Sequence, residues 1–396
     1  MFEVLKNRVF ARLYIAQTVN LFGDALTWLG LALLAYDLAG VDGASQVLSF
    51  GLLMRVSSFV IFAPFAGILA DKIDRKLILI ISHLCRMLIV GLLPFVQEVW
   101  QFYILVLLLN VFYAFFTPTF KATIPLVFDD KKFYSKAISL SSATYQLLGV
   151  LGPGIAGAFA VWFGTRQIFF IDGITFLIAA VLIFMIPSTL KVKSENQSNK
   201  GWGDLKTGTF PLFKNTQIRF GLLMQLVASI VGAQILVNTI TFIKGYLMLG
   251  SQEYGLIMSV FGLGATLGAL SCAYLSKKYR LTSIILAGGI VLSFSVMPAN
   301  ELGFIYILPL WLLAGAAESL VNIPTETLIA ENIPKHEQGR VYGAHFAWSH
   351  LWWVIAYPIA GWIGSSFTEN NFFIGSIVAI MLLIVFTSLK SKETFM

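Results

Sequence analysis

Gly67-Ile68-Leu69-Ala70-Asp71-Lys72-Ile73-Asp74-Arg75-Lys76 lies between two long apolar runs and places five ionisable side chains within ten positions. Only 12% of the whole chain is charged. So dense a knot of charge cannot lie in hydrocarbon, and it marks a tight turn at a membrane surface. The sidedness of everything else is fixed from this turn outward.

The chain around it has 396 residues, 58% of them hydrophobic and 14% aromatic, with a mean hydropathy of +0.82. A soluble domain is apolar at about 45 to 50% of positions even when Gly is counted, so the composition is that of a polytopic membrane protein. A hydrocarbon core about 30 Å thick takes roughly 20 apolar residues per helix, and strand-like alternation, the mark of a barrel, is absent. Cys85 and Cys272 both sit inside apolar runs, far apart, and give neither a disulfide framework nor a metal spacing. The basic start, Met1 to Arg12, leads into an apolar run longer than a signal-peptide core, which is expected to be a retained first helix.

Twelve spans follow from the apolar runs and turn signals, at roughly 13–38, 46–70, 77–97, 101–126, 135–163, 167–187, 216–243, 251–276, 281–299, 302–330, 339–366 and 370–389. With the N-terminus inside, 22 of the 27 lysines and arginines fall in cytoplasmic segments. Two, Arg166 and Lys244, fall outside, and Arg55, Arg86 and Lys121 lie within spans. This positive-inside bias puts both termini in the cytoplasm, and it makes the net charge of +7 a topology signal and not a sign of nucleic-acid binding. The polar interval 188–215, with Ser194-Glu195-Asn196-Gln197-Ser198-Asn199-Lys200-Gly201 at its centre, reads as a flexible cytoplasmic linker between an N-terminal bundle (1–187) and a C-terminal bundle (216–396).

The halves are related. Asp71-Lys72-Ile73-Asp74-Arg75 finds a counterpart in Ser276-Lys277-Lys278-Tyr279-Arg280; Arg12, Gln17 and Gly23 find theirs in Arg219, Gln225 and Gly232, and Pro118 in Pro324, all at nearly one offset. A shared offset argues for a duplicated six-helix unit.

Twelve spans, cytoplasmic termini, a central linker and the charged knot after span 2 together resemble the major facilitator superfamily. Its loop pattern Gly-x-Leu-Ala-Asp-Arg-x-Gly-Arg-Lys/Arg is matched at Gly67, Leu69, Ala70, Asp71, Arg75 and Lys76; Lys72 keeps the charge of the usual Arg, and Asp74 replaces the usual Gly. Asp tolerates left-handed backbone better than most residues. The resemblance implies an all-α fold of two pseudo-symmetric six-helix bundles. It also implies a conformational gate formed by Gly67, Asp71, Arg75 and Lys76 with Arg280, pairing with helix ends across the halves; Ser276 stands where the second copy would carry its acid. Gly149-Val150-Leu151-Gly152-Pro153-Gly154-Ile155-Ala156-Gly157 in span 5 resembles the Gly-Pro motif of the superfamily's exporters, with one residue fewer after the first Gly. Gly149, Gly152, Pro153 and Gly157 at helical spacing would let another backbone approach, with or without directional meaning. Arg12 to Gln17, followed by Phe22-Gly23-Asp24, is similar to the macrolide-efflux and enterobactin-exporter branch.

For proton coupling the candidates are Asp24 and Glu318. Asp24 falls near the middle of span 1, where an ionised carboxylate is costly, and coupling requires a group that can be neutral in one state and charged in another. The alternative is a static pair with Arg55 in span 2 or a hydrogen-bonded acid beside Asn20. Glu318 lies mid-span in span 10. Asp172 and Glu326 sit nearer span ends and are expected to cap or to be interfacial, and Arg86 is expected to snorkel toward the cytoplasm. The substrate cavity that the resemblance implies between the bundles is expected to draw on Asn20, Trp28, Arg55, Tyr145, Phe346 and His350. His345 and His350 are five apart and do not share a helix face as a metal pair would, so no metal or other cofactor is expected.

No GxxxxGK[S/T] pattern, nucleophile elbow or HExxH occurs. The reading is therefore a secondary transporter and not an enzyme, in the cell (inner or plasma) membrane. It is expected to act as a monomer in the lipid bilayer, exporting a small amphipathic molecule, drug or siderophore-like, in exchange for protons. The alternatives are an importer or lipid flippase of the same fold, or a membrane sensor that does not transport.

Overall fold

A computed structural model describes residues 2–128, 130–187, 190 and 202–394, and among these it contains helices and no strand. The helices are α1 (Arg8–Lys72), α2 (Arg75–Leu92), α3 (Val99–Thr123), α4 (Lys131–Phe163), α5 (Ile168–Phe184), α6 (Trp202–Lys214), α7 (Thr216–Thr241), α8 (Ser251–Leu275), α9 (Leu281–Ser295), α10 (Phe304–Asn332), α11 (Lys335–Ser366) and α12 (Asn371–Thr394). Helices from α2 to α5 and from α7 to α12 reproduce the ten expected spans between 77 and 389 to within a few residues.

Spans 1 and 2 are the exception in form. They run together as α1, 65 residues long, which as one straight rod would reach about 100 Å, against a hydrocarbon core of about 30 Å. The run is broken at Gly40, where φ is 65° and ψ is −164°. Only Gly adopts that backbone without strain, so the turn expected over several residues is concentrated in one.

The duplication is visible in the caps. Asn7 opens α1 by accepting from the Val9 and Phe10 amides at 3.0 and 3.1 Å. Asn215 opens α7 in the same way, accepting from Gln217 and Ile218 at 3.0 and 3.1 Å. An Asn at this place satisfies donors that the first helical turn leaves orphaned.

The chain forms two compact units. Unit 1 comprises Met1–Leu38, Met54–Asn196 and Ser251–Leu256. Its core holds Phe10 and Leu13 of α1, Leu79 of α2, Phe116 and Phe120 of α3 and Ile183 of α5, all buried. Unit 2 comprises Ala39–Leu53, Gln197–Gly250 and Ile257–Met396, so the stretch after Gly40 belongs with it. There Gly361 and Gly364 of α11 let Ser45 and Ser49 come in close, and the Ser45 hydroxyl bonds that of Thr241 at 2.9 Å. Trp311, fully buried, gives its indole N–H to Thr239 at 3.3 Å and meets the Phe372 ring edge-on at 5.1 Å. Between α8 and α10 the contact is made by Gly264, Gly268 and Gly315, each against the other helix's backbone. Close backbone approach is how helices hold each other where lipid removes the hydrophobic drive.

The expected flexible linker is only partly of that kind. Its centre, Ser194 to Gly201, lies outside the described residues. Its downstream part, 202–214, is the helix α6, and the packing on α11 gives the reason: Phe213 meets the Trp348 ring at 5.0 Å and Thr209 accepts from the Trp348 indole at 3.2 Å.

Candidate functional site

In unit 1, α1 carries Gln17, Asn20, Asp24 and Thr27 at spacings of three and four, which brings them onto one face. Across from that face stand His83 and Arg86 of α2, one turn apart, with Tyr113 and Phe116 of α3 and Asp172, Thr175 and Phe176 of α5. Asp24 and Arg86 form a buried ion pair, with side chains 9% and 2% exposed. Asn20 completes it: its amide donates to Asp24 Oδ2 at 2.8 Å, and its oxygen accepts from Arg86 Nη1 at 3.2 Å. The guanidinium lies over the rings of Phe176 at 4.1 Å and Tyr113 at 4.6 Å, a cation–π seat that offsets part of its lost hydration.

Gly23 is what admits the fourth helix side chain. A Cβ there would overlap the Asp172 carboxyl and the Thr175 hydroxyl. With hydrogen in its place, Asp172 reaches α1 and accepts from Thr27, while Thr175 contacts its Oδ1 at 2.8 Å. The Gly-Asp dipeptide of span 1 thus brings a second carboxyl group, that of Asp172, against the helix that carries Asp24.

Four expectations change here. Arg86 does not snorkel, because two polar partners on α1 hold its head group inside the unit. Asp172 neither caps nor faces an interface; it is fully buried, enclosed by the close approach that Gly23 permits. Asn20 is only 1% exposed, with both ends of its amide committed, so it cannot line an open cavity. Arg55, which the alternative reading paired with Asp24, rests over the Trp28 ring at 3.9 Å instead.

The remaining candidates scatter. Glu318 in α10 is half-buried and has no hydrogen-bond or ion-pair partner among the described residues. Tyr145 is exposed. Phe346 and His350 stack at 3.9 Å, with His350 Nδ1 2.8 Å from the Phe346 carbonyl. Sequence reasoning passed over a buried relay in unit 2: His345 Nε2 donates to Gln225 Oε1 at 2.9 Å, and Gln225 donates to Asn322 at 3.1 Å. The Gln17–Gln225 repeat pair was the only sequence signal for it.

At the charged turn, Asp74 is not left-handed; with φ −57° it is the N-cap of α2, accepting from the Lys76 amide at 2.9 Å. Its carboxylate also takes the Leu190 amide at 3.1 Å, and Lys76 donates to the Ile186 carbonyl at 2.7 Å. With Arg12 on the Met185 carbonyl, two cations meet the C-terminal end of α5, where carbonyls favour positive charge. Arg75 is buried. Gly67 and Asp71 are described as helical backbone alone. Arg280 holds the N-cap place of α9 without a side-chain cap, so it corresponds in structure to Asp74 and not to Arg75.

The span 5 motif also divides. Gly157 lies against the first turn of α8, where a Cβ would stand 2.8 Å from the Ser251 carbonyl oxygen and 3.1 Å from Gly255 Cα; Gly255 in turn lies against the Pro153 carbonyl. Gly152 faces Ala25 of α1. Gly149 faces open space and makes no close approach, in contrast to its expected packing role.

Known proteins place this architecture. The family model described as Major Facilitator Superfamily matches twice, over residues 13–245 and 221–394. The chain is 27% identical over 370 residues to the uncharacterized MFS-type transporter YfiS of Bacillus subtilis, covering 89% of this chain and 86% of that protein. It is 27% identical over 347 residues to a multi-drug resistance efflux pump PmrA homolog of Lactococcus lactis, covering 82% of this chain and 81% of that protein. Macrolide efflux protein A of Streptococcus pyogenes is 24% identical over 359 residues, with 84% of each chain covered. In fold, the nucleoside transporter NupG superposes with a TM-score of 0.77 at 15% identity, over 96% of this chain and 98% of that one. The doubled family match and the shared fold make this chain a multi-pass membrane transporter, and not an enzyme, belonging to the Major Facilitator Superfamily.

Proposed function

We propose that this transporter exports a small amphipathic molecule by alternating access, with protons moving inward as the solute leaves. The observation that carries the reading is the Asp24–Arg86–Asn20 network: a carboxylate and a guanidinium are kept together in the interior of a membrane bundle, where a fixed charge would be costly. Such a pair supplies a proton-sensitive contact, since protonating Asp24 releases Arg86. The efflux proteins among the relatives support the direction, and the positive-inside bias supports cytoplasmic termini and a plasma-membrane location. A membrane potential is worth about 2.3 kcal/mol per charge per 100 mV, so it helps one inward proton to drive out a neutral solute, whereas exchange for a monovalent cation is electroneutral and draws on the pH difference alone. Glu318, without a partner among the described residues, is the second proposed proton site.

The test uses everted membrane vesicles offered a neutral macrolide, erythromycin, and an amphipathic cation, ethidium. Native protein is expected to accumulate at least one probe when the lumen is acid, and Asp24→Asn protein, folded to the same extent, to accumulate none. Full gradient-driven accumulation by the variant would refute the assignment of Asp24. Uptake only with the gradient reversed would favour an importer, and probe movement indifferent to the gradient would favour a flippase.

A further inference from the structure

Charge in the α1–α2–α5 core does not balance. Two carboxyl groups, Asp24 and Asp172, are buried there with one guanidinium. Arg86 directs both terminal nitrogens to α1, one to Asp24 and one to Asn20. The Asp172 carboxyl meets the Thr27 and Thr175 hydroxyls, and among the described residues no ion pair joins it to a cation. His83 of α2 packs on Phe116 and Phe176, Tyr113 of α3 lies under Arg86, and Arg55 is seated on Trp28, so none of these pairs with Asp172. An ionised Asp172 would leave an uncompensated negative charge in a dry interior.

Counting hydrogens leads to the same place. Thr175 has one hydroxyl hydrogen, yet its oxygen is 2.8 Å from the Asp172 backbone carbonyl and 2.8 Å from Asp172 Oδ1. It can donate fully to only one of them, or share the hydrogen weakly between both. If it donates to the carbonyl, the second contact is a hydrogen bond only when Asp172 supplies the hydrogen.

We propose that Asp172 is a second proton-carrying carboxyl of this core, and that it passes its proton to Asp24 as the Arg86 guanidinium changes partner from Asp24 to Asp172. One O–H bond breaks on Asp172 and one forms on Asp24, so the cluster's net charge is unchanged while the ion pair moves from α1 to α5. Gly23 makes the exchange sterically possible, because its missing side chain lets the Asp172 carboxyl come up against α1 at the residue next to Asp24. The proposal rests on the proton-coupled reading above and adds the residue through which protonation would reposition α5 against α1.

The test is infrared spectroscopy of the full-length protein in lipid nanodiscs at neutral pH, without any solute, reading the carbonyl band of protonated carboxyl groups that moves in D2O. Difference spectra separate Asp172 from other acids such as Glu318. The band component is expected to be absent in Asp172→Asn and displaced in Thr175→Val, which keeps the side-chain shape and removes the hydroxyl. In Asp24→Asn it should vanish, because the freed guanidinium recruits an ionised Asp172, and in Asp24→Asn/Arg86→Met it should return. A component unchanged in both Asp172→Asn and Thr175→Val would mean that Asp172 is ionised. One that survives in Asp24→Asn would make Asp172 a static acid, and either result overturns the proposal. Should Asp172→Asn fail to fold, Thr175→Val and Asp24→Asn decide alone. The expected bands together with vesicle transport indifferent to a pH gradient would discard proton coupling and keep the exchange; coupled transport without the bands would do the reverse.

Discussion

Replacing Arg86 with Met tests how much of unit 1 depends on the buried pair. Met retains the unbranched stem and removes the charge. The guanidinium is 2% exposed and the Asp24 carboxylate 9%, so solvent cannot take over the role of the lost partner. Breaking a desolvated pair from one side costs about 3–5 kcal/mol, because the remaining charge is stranded; removing both charges is often neutral or even stabilising. Arg86→Met should therefore lose about 3–5 kcal/mol, and Arg86→Met/Asp24→Asn should recover most of it, giving a coupling of at least about 2 kcal/mol between the sites. Asp24→Asn alone should cost less than Arg86→Met, since Asp172 stands ready to receive the guanidinium. Unfolding in mixed micelles, followed by circular dichroism as SDS is titrated in, measures all three. A loss under about 1 kcal/mol for Arg86→Met, or a double variant that loses the sum of the singles, would refute the claim that the pair is desolvated and mutually dependent.

Gly157→Ala should destabilise by about 1–3 kcal/mol through overpacking, because its new methyl would stand 2.8 Å from the Ser251 carbonyl oxygen; Gly149→Ala, in open space, should gain up to about 1 kcal/mol from helix propensity, and equal effects in the same SDS titration would contradict the difference drawn between the two glycines. At the surface, the hydrogen bond and charge of Lys136, 3.0 Å from Glu3, hold the Glu3 carboxyl below its ordinary value of 4.5. The folded value being the lower one, the pair's contribution is present above the unfolded value and is lost as pH falls through the folded value. Glu3→Gln should accordingly flatten the acid limb of the stability profile below about pH 4.5, and an unchanged limb would show that the pair is too solvated to matter.

Periodicity and charge are one-dimensional properties, and they carried the architecture. The helical spans, the duplicated register and the placement of the Gly67 to Lys76 turn all follow from how often apolar runs recur and where Lys and Arg interrupt them. Asp24 was legible for the same reason: a carboxylate inside an apolar run is conspicuous in sequence alone. Its partner was not. Arg55 and Arg86 are both arginines within spans, and nothing in the order of residues says which of them faces α1, because that depends on helix rotation and on which neighbours come close. Asp172 departs from its expected place because distance from a span end does not measure burial, and its enclosure comes from Gly23 on another helix. Gly149 and Gly157 look alike in a motif and differ only in whether a second backbone passes by, and the helix over 202–214 depends on Trp348, more than a hundred residues later. The sequence by itself determined which segments form long apolar helices, since burial in lipid is a sum over each segment's own residues. Only the tertiary structure decided which polar groups meet, since a contact between helices is a property of two distant segments and of the glycines that let them touch.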